Sequence, residues 1–216
     1  MRIRLLPVVA ISAFVLAACG GGNGPSLGVS GPPSAQAVAA NDSDFSGMTK
    51  CPESGTWDTY LKAEQTKDPS QYQTDKTNWD GEKAAGANDS YIAVYSASAS
   101  DCGGFGTSTP SGKVAYVFAI RYKDASSASA SYKSGSKQVN LSDSDLANIK
   151  AAGGTVLQGS ASGLGDNSIT VSLDIATASI YIAYWQKKQF QVAVVSYQVP
   201  SADVSAAAKK IDARIS

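Results

Sequence analysis

Histidine is missing from all 216 residues. That removes the commonest general base and the commonest transition-metal ligand at once. Charge of either sign is also in short supply: 18 Lys and Arg balance 18 Asp and Glu, for a formal net charge of zero. No basic stripe offers the electrostatic grip that nucleic acid requires, and no acidic block forms a charged tail. Beyond the N-terminus no apolar run is long enough to span a bilayer. Cysteine is scarce and odd in number: Cys19, Cys51 and Cys102. Pairing two of them leaves one over.

The first of the three has a recognisable setting. Arg2 and Arg4 make a short basic start, and Leu5 to Ala18 is apolar but too short for a helix across about 30 Å of hydrocarbon. A basic start, a brief apolar core and small residues before a break read as a secretory signal over residues 1–18. The break falls at Leu16-Ala17-Ala18-Cys19. This stretch resembles the lipobox of bacterial lipoproteins. The resemblance implies that Cys19 becomes the mature N-terminus and carries lipid on its sulfur, so that the partner of the chain is a membrane surface, held by acyl chains. Gly20 lacks the Asp associated with inner-membrane retention, which places the lipid in the outer membrane of a diderm cell, or on the outer face of the plasma membrane of a monoderm one.

Residues 19–44, rich in Gly, Ser, Pro and Ala, hold too little apolar surface to offset their ordering entropy and read as a flexible tether. Residues 45–216 are enough for one domain with its own core. Loss of the signal removes two arginines and no acids, leaving a formal charge of about −2 at neutral pH.

Within that domain Thr56 to Asp68 and Ser70 to Gly86 read as helices. A strand begins near Ser90, and Lys113 to Lys123 alternates cleanly, with Val114, Tyr116, Phe118, Ile120 and Tyr122 on one face. Asp124 opens a small-residue helix. Ser142 and Asp145 form a capping-box pattern ahead of another, which stops at Gly153-Gly154. NSITVSLDI, SIYIAYWQ and QFQVAVVSYQV read as an antiparallel meander, and Pro200-Ser201 opens a last helix with Val204, Ala208, Ile211 and Ile215 on one face. The expected fold is α+β: an antiparallel sheet, a meander in its C-terminal half, and helices packed on it. The similarity of YVFAIRYKDASSASASY to QVAVVSYQVPSADVSAAA allows either an internal α-β-β-α duplication or two ordinary strand–helix turns. GLGDN (Gly163 to Asn167), leading into the meander and terminal helix, is similar to sensor-type extracellular domains of actinobacterial Ser/Thr kinases. This resemblance, over about the last 100 residues, implies an extracytoplasmic ligand-sensing role.

Three patterns bear on chemistry. Asp42, Asp44, Ser46, Gly47 and Glu53 match the ligand spacing of an EF-hand loop, in which alternate oxygens and a distal carboxylate converge on calcium. Ser46 in place of a stronger ligand, Pro52 at the exit and the lack of an entering helix favour a hydrated acidic stretch instead, and no metal or other cofactor is expected. Ser134-Gly135-Ser136-Lys137 satisfies S-x-x-K without the K-T-G that completes it, and neither GLGDN nor Gly112-Lys113-Val114 has the spacing of a nucleotide loop. No catalytic residue is assigned. Tyr116, Tyr184, Trp185 and Tyr197 lie in strands beside small residues, where they line a ligand surface or serve only as core.

Three functional classes remain. The first is a lipid-anchored envelope domain that binds a small ligand or another envelope protein. The second is a small envelope hydrolase built on a carboxylate pair, for which Asp166 and Asp174 are the candidates. The third is a structural spacer. With Cys19 lipidated, Cys51 and Cys102 are left to pair in an oxidising compartment.

Overall fold

The computed structural model describes residues 31–102, 112–136, 142–175 and 178–215; Cys19, the signal and Lys137 of the S-x-x-K pattern lie outside them. Six helices are described: α1 (Ala35–Ala39), α2 (Trp57–Lys67), α3 (Pro69–Ala84), α4 (Ala125–Ser136), α5 (Asp143–Ala151) and α6 (Ser201–Ala213). The strands are β1 (Thr49–Lys50), β2 (Ala87–Ser96), β3 (Val114–Tyr122), β4 (Thr155–Gln158), β5 (Ser168–Ile175), β6 (Ala178–Lys187) and β7 (Phe190–Tyr197). They form one seven-stranded sheet in the order β1-β2-β3-β7-β6-β5-β4, antiparallel at every step. The expected α+β fold with its C-terminal meander is what the chain adopts.

Local chemistry accounts for the helix ends. Asp68 caps α3 by accepting from the amides of Ser70 and Gln71, with Pro69 in the first turn, where its missing N–H costs nothing. Asp124 accepts from the Ser127 amide at 2.7 Å, and Ser142 and Asp145 complete the capping box of α5.

Strand alternation sorts the sheet into two faces, each with a core of its own. One carries Ala93, Ala115, Val117, Ala119, Ala183, Val192 and Val194, packed against α1 and α6. The other carries Ile92, Val94 and Tyr122 against α2, α3 and α4. Alanine dominates the first face because α6, with Val204, Ala207, Ala208 and Ile211 fully buried, lies close against the strands. The helices that follow β3 and β7 cover opposite faces: α4 belongs to the second core and α6 to the first. With β2 on the outer side of β3 and β6 on the outer side of β7, the units β2–β3–α4 and β6–β7–α6 differ in hand, which favours two ordinary strand–helix turns.

The tether expected over residues 19–44 ends sooner than its composition implies. Ser34 caps α1, whose Ala35, Val38 and Ala39 are fully buried in the first core. The small size that made these residues look unstructured suits them to a slot lined by alanines. Long-range polar contacts hold them there. The Ala35 amide donates to Asp89 at 2.8 Å, Arg121 donates to the Pro33 carbonyl, and Arg214 grips Asp44 through both carboxylate oxygens at 2.7 and 2.6 Å while donating to the Val38 carbonyl. Ser34 to Asp44 thus pack as part of the domain, ahead of residue 45.

Arg214→Ala leaves the Asp44 carboxylate, whose side chain is 1% exposed, without its counter-charge. Removal of one partner of a buried pair typically costs about 3–5 kcal/mol, or roughly 6–20 °C in Tm for a chain of this size. A chain beginning at residue 45 should melt well below one beginning at residue 31. Thermal melts of both and of the variant check the boundary.

Candidate functional site

On the α6 side, the cross-strand row Val117–Val194–Ala183–Thr170 is buried throughout. One residue along, on the opposite face, runs the row Tyr116–Val195–Ile182–Val171–Val156, through five strands from β3 to β4. All five are only half-buried, as are Tyr197, Ile180 and Leu173 in the next row. The difference lies in the helices. Helix α4 covers the β3–β7–β6 strands around Tyr122, Gln191 and Tyr184, where Tyr132 stacks on Tyr184 at 4.9 Å. Helix α2 covers β2 and Phe118 through Trp57. The two rows lie between and beyond these seats, and eight apolar side chains in adjoining rows make a contiguous strip of the kind that soluble proteins reserve for a ligand or partner.

The four aromatic candidates divide accordingly. Tyr116 and Tyr197 belong to the strip. Tyr184 is on the same face beneath α4, its hydroxyl pushed up by burial and then by the Glu82 charge. Trp185 points the other way and is fully buried against α1 and α6, so it is core and leaves the group. Tyr116 is raised first by burial and then by the charge of Glu53, which marks one end of the strip as acidic.

The EF-hand-like residues are taken up separately. Asp44 is held by Arg214, Asp42 pairs with Lys50 at 2.9 Å, Ser46 is exposed, and Glu53 lies beside the sulfurs of Cys51 and Cys102. These two cysteines are joined, with Cα atoms 5.5 Å apart. The bridge closes a loop of 51 residues, a constraint that the chain-entropy model values at roughly 4 kcal/mol.

The hydrolase pair does not converge. Asp166 precedes β5 and Asp174 lies near its far end, eight residues on, about 20 Å or more at strand rise. A glycosidase pair works at about 5–9.5 Å. Asp174 is instead bonded by the hydroxyls of Ser179 and Ser201, chiefly Ser179, which hold its carboxyl below the usual range.

Sequence reasoning overlooked two buried acidic clusters. Asp75 accepts from the Tyr60 hydroxyl at 2.9 Å and from the Gln71 amide at 2.8 Å. Glu82 accepts from Tyr122 at 2.6 Å and Ser131 at 2.7 Å, and Gln191 joins the same cluster. The signal was present: Asp75, Trp79 and Glu82 are spaced i, i+4, i+7, one buried helix stripe with acids at two of its three positions. Both clusters join helices to each other or to the sheet, with their donors already engaged, and neither opens onto the strip.

Burial is the main cause that raises the Asp75 carboxyl above its ordinary 3.8, outweighing the Tyr60 and Gln71 hydrogen bonds that lower it. The folded state therefore holds this proton more tightly than the unfolded chain does. The associated stability is full below the unfolded value and is lost as pH rises through the folded one. Asp75→Asn abolishes that dependence. The Tm of the native protein minus that of the variant should fall as pH rises above the ordinary carboxyl value of 3.8, and a flat difference would contradict the assignment.

No family model matches the chain, and no curated protein is detectably similar to it. A solved structure, the extracellular domain of PknH from Mycobacterium tuberculosis, is similar at 13% identity and a TM-score of 0.48, over 86% of this chain and 97% of that one.

Proposed function

We propose that the chain is an extracytoplasmic domain, anchored by lipid on Cys19, that binds a small ligand with an apolar body across the Tyr116–Val156 strip. One observation carries this reading: the half-exposed apolar rows on one face, against a fully buried row on the other. A spacer has no use for such a strip, and the separation of Asp166 from Asp174 argues against the carboxylate hydrolase. The Cys51–Cys102 bridge supports an oxidising compartment, since structural disulfides persist there and are rare in the cytosol. Among the described residues no helix is long and apolar enough to cross a membrane.

A thermal-shift screen against fatty acids, lipid headgroups, glycans and divalent ions tests the binding. A ligand at 100 times its Kd contributes about 2.7 kcal/mol, roughly 5–10 °C here. Compounds with an apolar body should produce that shift. Ile182→Glu, which sets a charge in the middle of the strip, should cancel it while leaving the circular dichroism unchanged. Shifts confined to hydrophilic glycans, or undiminished in Ile182→Glu, would overturn the reading.

The anchor has its own measurement. Protein from cells should partition with membranes and show diacylglyceryl and acyl mass on an N-terminal Cys19. Cys19→Ser should release the protein or stop its processing. An unmodified Cys19, or a mature N-terminus elsewhere, removes the anchor.

A further inference from the structure

Among the described residues, one oxygen of the Glu53 carboxylate, the buried Oε2, has no hydrogen-bond partner, a costly state for a carboxylate oxygen that calls for a physical explanation. Close by are the two sulfurs: one carboxylate oxygen of Glu53 and the Sγ atoms of Cys51 and Cys102 all lie within 4.8 Å of one another. While the sulfurs are bonded together they are poor ligands. As thiolates they are strong ones, with the softness that selects zinc-like cations.

We propose that reduction of the Cys51–Cys102 bridge opens a site for a thiophilic divalent cation of the zinc class, held by the two sulfurs and Glu53. A dithiol reductant supplies two electrons and two protons. It becomes a disulfide, the Cys51–Cys102 bond breaks, and two thiols form. The cation then displaces both thiol protons to solvent and binds the thiolates and the carboxylate, with water in the fourth position.

The fold holds two of these ligands in place without the crosslink. The Cys51 amide donates to the Val94 carbonyl at 2.8 Å, and the turn back to the Ser54 amide closes on the Cys51 carbonyl at 3.0 Å. The Ser54 hydroxyl accepts from the Val94 amide at 2.9 Å, and Gly55 exchanges both backbone hydrogen bonds with Ile92. The stretch from Cys51 to Gly55 is therefore fastened to β2 by its backbone, and the bond to Cys102 is not needed to place Cys51 and Glu53 side by side. Cys102 follows a single 3-10 turn, Ala99–Asp101, whose backbone bond runs from Asp101 to Ser98. Binding requires the two sulfurs to part to about 3.7 Å, the separation that tetrahedral zinc–thiolate bonds of about 2.3 Å set. Calcium, which takes six to eight oxygens, finds one carboxylate here and is excluded.

The test uses the mature protein, oxidised and after phosphine reduction, titrated with cobalt as a spectroscopic probe and then with zinc. Reduced protein should bind one cobalt ion with a sulfur-to-cobalt charge-transfer band in the near ultraviolet. Zinc should displace it, and oxidised protein should show no band. Glu53→Gln keeps both sulfurs and the bridge, and should weaken zinc binding on the order of tenfold or more, while the oxidised variant melts no lower than the native protein. Three results would overturn the proposal: cobalt binding without the thiolate band, equal affinity in Glu53→Gln, or a reduced chain that stays unfolded when zinc is added.

Discussion

Among the described residues, the two halves of the sheet meet in the antiparallel pairing of β3 with β7, from Val114↔Tyr197 to Arg121↔Phe190. β1, β2 and β3 come from the first 122 residues, and β4 to β7 from residues 155–197. Some 75 residues separate the partners, so this contact carries the largest loop-closure cost in the sheet and its register must be specified by side chains rather than by a turn. Alternation within β3 supplies that specification. A slip of one residue would move Ala115, Val117 and Ala119 beneath the bulky α2–α4 layer and turn Tyr116, Phe118 and Tyr122 into the narrow space under α1 and α6. Neither exchange packs.

From that register the asymmetry of the faces follows. Alanines on one side bring α6 and the five-residue α1 close to the strands and leave no room for anything else. On the other side the aromatic rings hold α2, α3 and α4 further off, and the gaps at their seats are filled by hydrogen-bonded polar groups, Tyr60 with Asp75 and Tyr122 with Glu82. Such clusters fix where each helix sits, because a carboxylate displaced from its donors would be buried and unpaired. With α2 and α4 each fixed to its own cluster, neither extends over the Val195–Ile182–Val171 row, which stays partly open.

Much of this was readable from residues alone. Strong alternation located β2, β3 and the meander, caps located α4 and α5, and the parity of the cysteines anticipated the bridge. The misreadings share one physical cause, which is that the deciding partner lies far away in sequence. AQAVA looks like linker until Arg214, from the other end of the chain, takes hold of Asp44 and the Val38 carbonyl. α3 looks weakly amphipathic because its buried stripe holds two acids whose donors come from α2, β3 and α4. Trp185 looked like a ligand contact because alternation divides a strand into faces without saying which face will be covered. β4, only TVLQ between glycines, is too short for periodicity to detect. The candidate site was legible in part: Tyr116 and Tyr197 were singled out, whereas Val195, Ile182 and Val171 are ordinary strand residues until register aligns them.

The segment from Asp42 to Glu53 shows why spacing alone does not define a site. A calcium loop needs its ligands to curl around one point. Here the chain turns at Asn41–Asp44 and again at Phe45–Met48 before the short strand β1 at Thr49–Lys50, and that path carries the carboxylates apart. Asp42 is drawn to Lys50, Asp44 to Arg214, and Glu53 past the sheet edge to the sulfurs. Once β1 has paired with β2, the twelve residues can no longer close on a shared ion, and each acid takes the environment that the strand delivers it to. For Asp44 that environment is a guanidinium, so the charge helps to hold α1 in the fold. For Glu53 it is a disulfide, which offers a half-buried carboxylate no hydrogen-bond donor.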